Sequence, residues 1–313
     1  MKSEHSMPTV TSASTRLIKK QKHNPERKGR YIVTTCALLI IIATAAIMIF
    51  LTQKGLQSFI GNGLSPLEFL TSANWHPISS GNGEPSYGAL SFIFGSFAVT
   101  ILAAIIAAPL GIGAAIFMTE IAPSWGKKVF QPIIELLVGI PSVVYGFIGL
   151  SVLVPFLRSS FGGLGFGLLA GMIVLAIMIL PTVTSIATDT LHSLPKGLRD
   201  ASAAIGATRW QTISRILIPA AMPGLLTAVV LGMARAFGEA LAVQMVIGNA
   251  TSIPNSLTEP AATLTTIITL NMGHTTFGSL ENNVLWSLAL ILLLMSLLFI
   301  ILIRFLSSRR KYE

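Results

Sequence analysis

Residues 193–219 read SLPKGLRDASAAIGATRWQTISRILIP, and this stretch decides how the chain is divided. It is the longest polar, charge-mixed interval between apolar runs that lacks a Gly/Asn-rich loop character. It carries Lys196, Arg199, Asp200, Arg209 and Arg215. Pro195 suits a helix start, Gly206 a helix end, Thr208 an N-cap and Pro219 the start of the next helix. The stretch therefore reads as two short helices with a break at Gly206. Leu198, Ala201 and Ile205 share one face of the first at i, i+3, i+7, and Ile213, Ile216 and Leu217 repeat the spacing in the second. Such helices are too short and too charged to cross a bilayer, yet apolar enough to lie against something: lipid, the rest of the chain or a separate partner.

On both sides of this interval the chain is apolar. Apolar residues make up 52% of the sequence and charged residues 11%, with a mean hydropathy of +0.75; a water-soluble globule carries about 25% charged residues. Charge-free or nearly charge-free runs occupy 31–53, 85–119, 136–157, 159–188, 216–248 and 282–303. Each holds the roughly 20 residues that a helix needs to cross a hydrocarbon core. The expected fold is an all-α polytopic membrane protein of six transmembrane helices. Its parts are a basic tail (1–30), a peripheral first span (31–53), a Gly/Pro-rich extracytoplasmic loop (54–89), a membrane core (90–305) and a short tail (306–313). Within the core the spans are placed at about 90–118, 133–157, 164–187, 219–248 and 283–304.

The net charge of +9 would suit a nucleic-acid partner, but its placement argues for membrane topology and against nucleic acid. Basic residues gather before residue 31, at the C-terminal end, at Lys127 and Lys128, and in the 193–219 stretch. The positive-inside rule puts these segments, and both termini, in the cytoplasm, with anionic lipid as a neighbour of the tail. The first apolar run is too long for a signal-peptide h-region and reads as an uncleaved span. Cys36, the one cysteine, excludes an intrachain disulfide and reads as a small buried hydrophobe. The five histidines are scattered, and no phosphate-loop or nucleophile-elbow motif is present, so the chain reads as non-enzymatic with no metal or cofactor of its own.

Inside the spans a few residues stand out. Pro109 should bend or break the second span near Ala108, lining a pathway or making a packing kink; Pro141 repeats the theme in the third. Gly163, Gly167 and Gly171 form a smooth stripe at i, i+4, i+8 for close helix approach. Pro181, with Thr182, Thr184 and Ser185, ends the fourth span in a bent, polar segment whose hydroxyls meet a solute or satisfy the freed backbone. Arg235 and Glu239 fall near the middle of 216–248, where each charge costs about 2.5–3.5 kcal/mol on insertion scales. Four residues apart on one helical face, they can pair. They read either as an ion pair locking helices or as an anion site, with Arg235 offering a planar fork of donors and Glu239 orienting it.

The string DASAAIGATRWQTISRILIP (200–219) resembles the cytoplasmic loop motif of ABC importer membrane subunits: Glu-Ala-Ala, three residues, Gly, nine residues, Ile, any residue, Leu-Pro. Asp200, Ala201 and Ser202 stand in the Glu-Ala-Ala positions, Gly206 holds the glycine, and Ile216, Ile218 and Pro219 close the pattern. PLGIGAAIFMTEIAP (109–123), GIPSVVYGFIGL (139–150) and GMARAFGEALAVQMVIGN (232–249) resemble segments of the phosphate-specific permeases. ATLTTIITLNMG (262–273) is similar to the C-type subunit of that pair more than to the A-type. The resemblance implies a type I ABC importer permease fold in a bacterial plasma membrane. It also implies import of inorganic phosphate by alternating access, with molybdate or sulfate as the nearest other cargo. An ion-gradient carrier or channel, the competing class, has no reason for this loop. The implied partners are a sister permease in a heterodimer, a pair of ATP-binding subunits carrying the ATP and Mg, and an extracytoplasmic phosphate-binding protein. Leu198, Asp200, Ala201, Ser202, Gly206 and Ala207 are the expected contacts to the ATPase, and Arg235 and Glu239 the expected substrate pathway.

Overall fold

The computed structural model describes residues 25–77 and 85–309; the basic tail before residue 25 and the last four residues lie outside them. The chain divides into two units, Met1–Phe50 and Leu51–Glu313. In the first, helix α1 (Pro25–Ile60) begins, and every residue from Gly29 to Phe50 is exposed, Cys36 included. An all-round apolar surface of this length is what a membrane span presents to lipid.

In the second unit, α1 ends at Ile60, and α2 (Pro66–Thr71) and two paired two-residue strands, β1 (Trp75–His76) and β2 (Ser86–Tyr87), occupy the predicted 54–89 loop. The second span is α3 (Leu90–Ile116) with a π-helical turn, Phe117–Ile121. Then come α4 (Ser124–Gly139) and α5 (Ser142–Ile148), which continues through a π turn into α6 (Val154–Phe161). Helices α7 (Leu168–His192), α8 (Lys196–Ala204), α9 (Arg209–Thr212) and α10 (Ile218–Phe237) follow, with a π turn at Ile213–Leu217 joining the last two. The chain closes with α11 (Leu241–Gln244), α12 (Leu264–Asn271) and α13 (Leu280–Arg309). Six helical segments are long and apolar enough to cross a membrane: Gly29–Ile60, Leu90–Ile121, Ser142–Phe161, Leu168–His192, Arg209–Phe237 and Leu280–Ile301.

Helix α7 is the centre of the unit, with α3 and α10 against it. Val99, Leu175, Ile179 and Ile247 are buried together, and Ala115, Val183, Leu191 and Leu225 form a second cluster toward the α8 end. Small residues bring the backbones close, as van der Waals packing between membrane helices requires: Gly171 faces Val99, Gly111 faces Val183 and Gly232 faces Val183. At the other end Trp75, Tyr87, Phe92, Leu264 and Leu285 pack with rings edge to face. The last turns of α1 are held to α13 by Ser58 and Ser287, whose hydroxyls lie 2.6 Å apart.

Several spans differ from the sequence expectation, each for a local reason. The third begins at Ser142, because Pro141 pushes Ile140 to extended backbone (φ −68°, ψ 128°) and cuts α4 off as a separate helix. The α-helix of the second span runs unbroken through Pro109, whose one lost hydrogen bond is outweighed by packing on α7, and turns π-helical only at Phe117. The Gly163–Gly171 stripe does not exist: Gly163 is left-handed (φ 71°) in a loop, Gly167 caps α7, and Gly171 alone of the three is helical. The helix also continues past Pro181 to His192. Pro219 lies in the first turn of α10, as expected, but no break precedes it: a π turn carries the chain on from α9 into α10. The fifth span stops being a helix at Phe237, well short of 248.

That last difference positions the candidate site. Gly224 of α10 lies against Thr190 and Gly232 against Val183, so α10 ends opposite the middle of α7. The crossing is completed by residues 238–247, in which the short α11 is flanked by irregular backbone and Val246 and Ile247 are buried beside Val174 and Gly171. Non-helical backbone at membrane depth is tolerated where protein buries it or a cavity needs it.

Candidate functional site

The predicted docking segment folds as two short helices hinged at Gly206. Its φ of 77° suits glycine, and the hinge is closed by Gly206 N–H donating to Ala203 O (3.0 Å) and Ala207 N–H to Ser202 O (3.1 Å). Thr208 and Gln211 form a reciprocal capping box that starts α9. Asp200, Ala201 and Gly206 are exposed, and Leu198 and Ala207 are half-buried. The apolar residues Ile205 (81% exposed) and Trp210 (66%) point into the open on either side of the hinge. Of the expected Leu198–Ala201–Ile205 face, Leu198 is half-buried, and Ala201 and Ile205 are left open among the described residues. Ser202 is a correction to the expected contact set: it is buried, with its hydroxyl 2.7 Å from that of Thr212, tying α8 to α9.

What holds α8 to the spans is a contact that no local sequence pattern announces. Arg199 reaches Glu120 in the π turn of the second span: Nη2 donates to Oε1 at 2.6 Å and Nε to Oε2 at 3.3 Å. The same guanidinium donates to the carbonyls of Leu191 (3.2 Å) and Leu194 (3.5 Å) at the end of α7, where a helix leaves acceptors free. The hydrogen bond to Glu120 raises the Arg199 pKa above arginine's already high value, burial acting the other way. Among the described residues this is the ion pair of the molecule.

Arg235 and Glu239 are not paired. Arg235 lies in the last turn of α10, half-buried, where a cation complements the helix dipole. Its Nη1 donates to Thr182 Oγ1 (3.0 Å), midway along α7; the hydroxyl of the buried Tyr145 donates to Leu137 O (2.9 Å). Glu239 stands beyond the helix end, where its Oε1 accepts the Ala242 N–H (3.0 Å) and so caps α11. Capping a new helix is incompatible with a continuous one carrying both charges on one face, which is why the expected pair fails to form. Glu239 instead faces a small cleft lined by Ser96, Thr100, Thr263 and Thr265. Thr182 was visible in the sequence as a hydroxyl beside Pro181; Tyr145 was not singled out, and the cleft hydroxyls come from two distant segments. Among the described residues no three His, Cys, Asp or Glu side chains are placed to hold a metal ion.

This architecture has known counterparts. The chain is similar over 95% of its length, at 16% identity and a TM-score of 0.60, to all of a chain in the crystal structure of a bacterial ABC transporter involved in the import of the acidic polysaccharide alginate. It is 68% identical over 303 residues (96% of this chain, 97% of the relative) to the probable ABC transporter permease protein YqgH of Bacillus subtilis strain 168. It is 36% identical over 293 residues (87% of each) to the phosphate transport system permease protein PstC of Mesorhizobium japonicum. The model of the binding-protein-dependent transport system inner membrane component family matches residues 107–312. With that match reaching from the middle of the second span to the end, the chain belongs to this family and is a multi-pass membrane permease subunit of an ABC importer.

Proposed function

We propose that this permease imports inorganic phosphate across a bacterial plasma membrane, with ATP and Mg used by separate ATPase subunits. The observation that carries the reading is Arg235. It is a half-buried guanidinium at a helix break opposite mid-α7, held by a neutral hydroxyl and with no carboxylate paired to it among the described residues. A guanidinium has five donors in a fixed fork suited to oxyanions, so several N–H groups are left for a passing anion. The curated relatives named for phosphate transport support phosphate as that anion. Thr182 orients the fork, and Glu239, just beyond the end of α10, repels an anion that would otherwise lodge too firmly.

In this reading the α8–α9 surface, with Leu198, Asp200, Ala201, Ile205, Gly206, Ala207 and Trp210, docks on the ATPase dimer at the cytoplasmic side. A continuous helical rod from Arg209 to Phe237 then joins that surface to Arg235, and rocking of the rod alternates access. The sister permease supplies the facing half of the pathway, and an extracytoplasmic binding protein delivers phosphate. The test is uptake of labelled phosphate by vesicles holding the complete complex. The expected result is ATP-dependent, vanadate-sensitive uptake that excess sulfate or molybdate does not reduce. Equal competition by either would assign another oxyanion, and vanadate-insensitive uptake would assign a gradient-driven carrier.

A further inference from the structure

We propose that Glu120 and Arg199 are positioning residues that make the docking helix α8 and the Glu120 end of α3 move as one body. A displacement imposed on α8 is thereby delivered to the second span as well as, through α9, to α10. The inference rests on the docking reading of α8–α9.

The attachment of the two docking helices is unequal. Helix α9 is continuous with α10 through the π turn, whereas α8 is separated from α9 by the left-handed Gly206 hinge. Within α8, Ser202 is the one buried residue. Apolar packing, which fixes distance but little orientation, is therefore slight there, and polar contacts hold the helix. The strongest is the fork of Arg199 on both oxygens of Glu120, a two-bond geometry that fixes the relative plane of the two groups. A lysine could supply the charge but not the plane. Because Nη2 and Nη1 also reach the Leu191 and Leu194 carbonyls, one guanidinium joins the end of α7, helix α8 and the end of α3.

The far side of the clamp is itself irregular. Glu120 sits in the π turn that ends the second span, and Thr119 bonds back to Ala115 O (2.9 Å) to hold that turn. π turns re-aim side chains and concentrate at functional positions; here the re-aimed side chain is the one that grips α8. A partly exposed ion pair adds little stability, so its contribution lies in the direction it transmits.

The test measures phosphate imported per ATP hydrolysed in vesicles holding the full complex, for Glu120→Gln, Arg199→Lys, Arg199→Glu and the swap Glu120→Arg with Arg199→Glu. The single variants are expected to lower the ratio at least about fivefold with the ATPase still bound, Arg199→Lys least, and the swap to recover most of the loss. An unchanged ratio in Glu120→Gln, or a swap no better than the singles, overturns the proposal. Should the singles fail to assemble, spin labels at Leu110→Cys and Ala203→Cys in a Cys36→Ser chain decide with the clamp intact. A separation that stays constant on vanadate trapping supports it, and one that changes overturns it. The docking reading fails separately, if the ATPase subunits remain bound when Ile205 and Trp210 are both replaced by Glu.

Discussion

Arg199 in the docking segment and Arg235 at the end of α10 carry the same fork of donors, and the chain surrounds them in opposite ways. Arg199 is nearly saturated: a carboxylate takes two of its five N–H groups and two helix-end carbonyls take two more. Arg235 is held by one neutral hydroxyl. In the proposed reading the nearly saturated guanidinium transmits position, whereas the one with donors to spare keeps them for a passing anion. The difference separates two jobs that composition alone would have lumped together as charges in an apolar protein.

The comparison can be broken first at the docking surface. Replacing Ile205 and Trp210 together by Glu removes two exposed apolar anchors. At about 2 kcal/mol for each anchor, ATPase affinity should fall on the order of 1,000-fold, as read by copurification and ATP hydrolysis. A smaller effect is expected at Arg235's support. Thr182→Val deletes the hydroxyl that orients the fork and should lower uptake about two- to tenfold, with KM rising and the ATPase still bound; no change would mean that the fork is oriented by something else. The smallest effect concerns pH. The Arg199 pKa is raised in the folded chain, so its contribution is fully present below arginine's ordinary value and is lost only as pH rises through the folded value. Arg199 therefore keeps its charge from about pH 6 to 9, and the phosphate-to-ATP ratio should stay flat across that range. A fall within that range would show that Arg199 is not held as described.

How much of this was legible in the sequence follows the same division. The docking segment was readable because its decisions are local: Gly206 for the left-handed hinge and Thr208 for the cap act within a few residues. The inward turn of Ser202 was not, since its partner Thr212 lies across that hinge. Arg235 was found by the cost of a charge in an apolar run. Its partner, 53 positions away, was beyond reach, and the assumption of one helix through Glu239 failed because that side chain starts a new helix instead. Glu120 and Arg199 were both on view as residues, but 79 positions separate them and no local pattern joins them. Hydropathy found six spans and misplaced the third, because an average over apolar residues does not register that Pro141 interrupts them.

The most direct test of the account is the Arg235→Gln complex, assembled with its ATPase and compared with the unaltered complex for phosphate uptake and ATP hydrolysis in the same vesicles. Losing a charged donor to the anion should lower uptake about 10- to 100-fold while the ATPase remains bound. Uptake at the unaltered rate would reduce Arg235 to a structural tie between α10 and α7 and contradict the account.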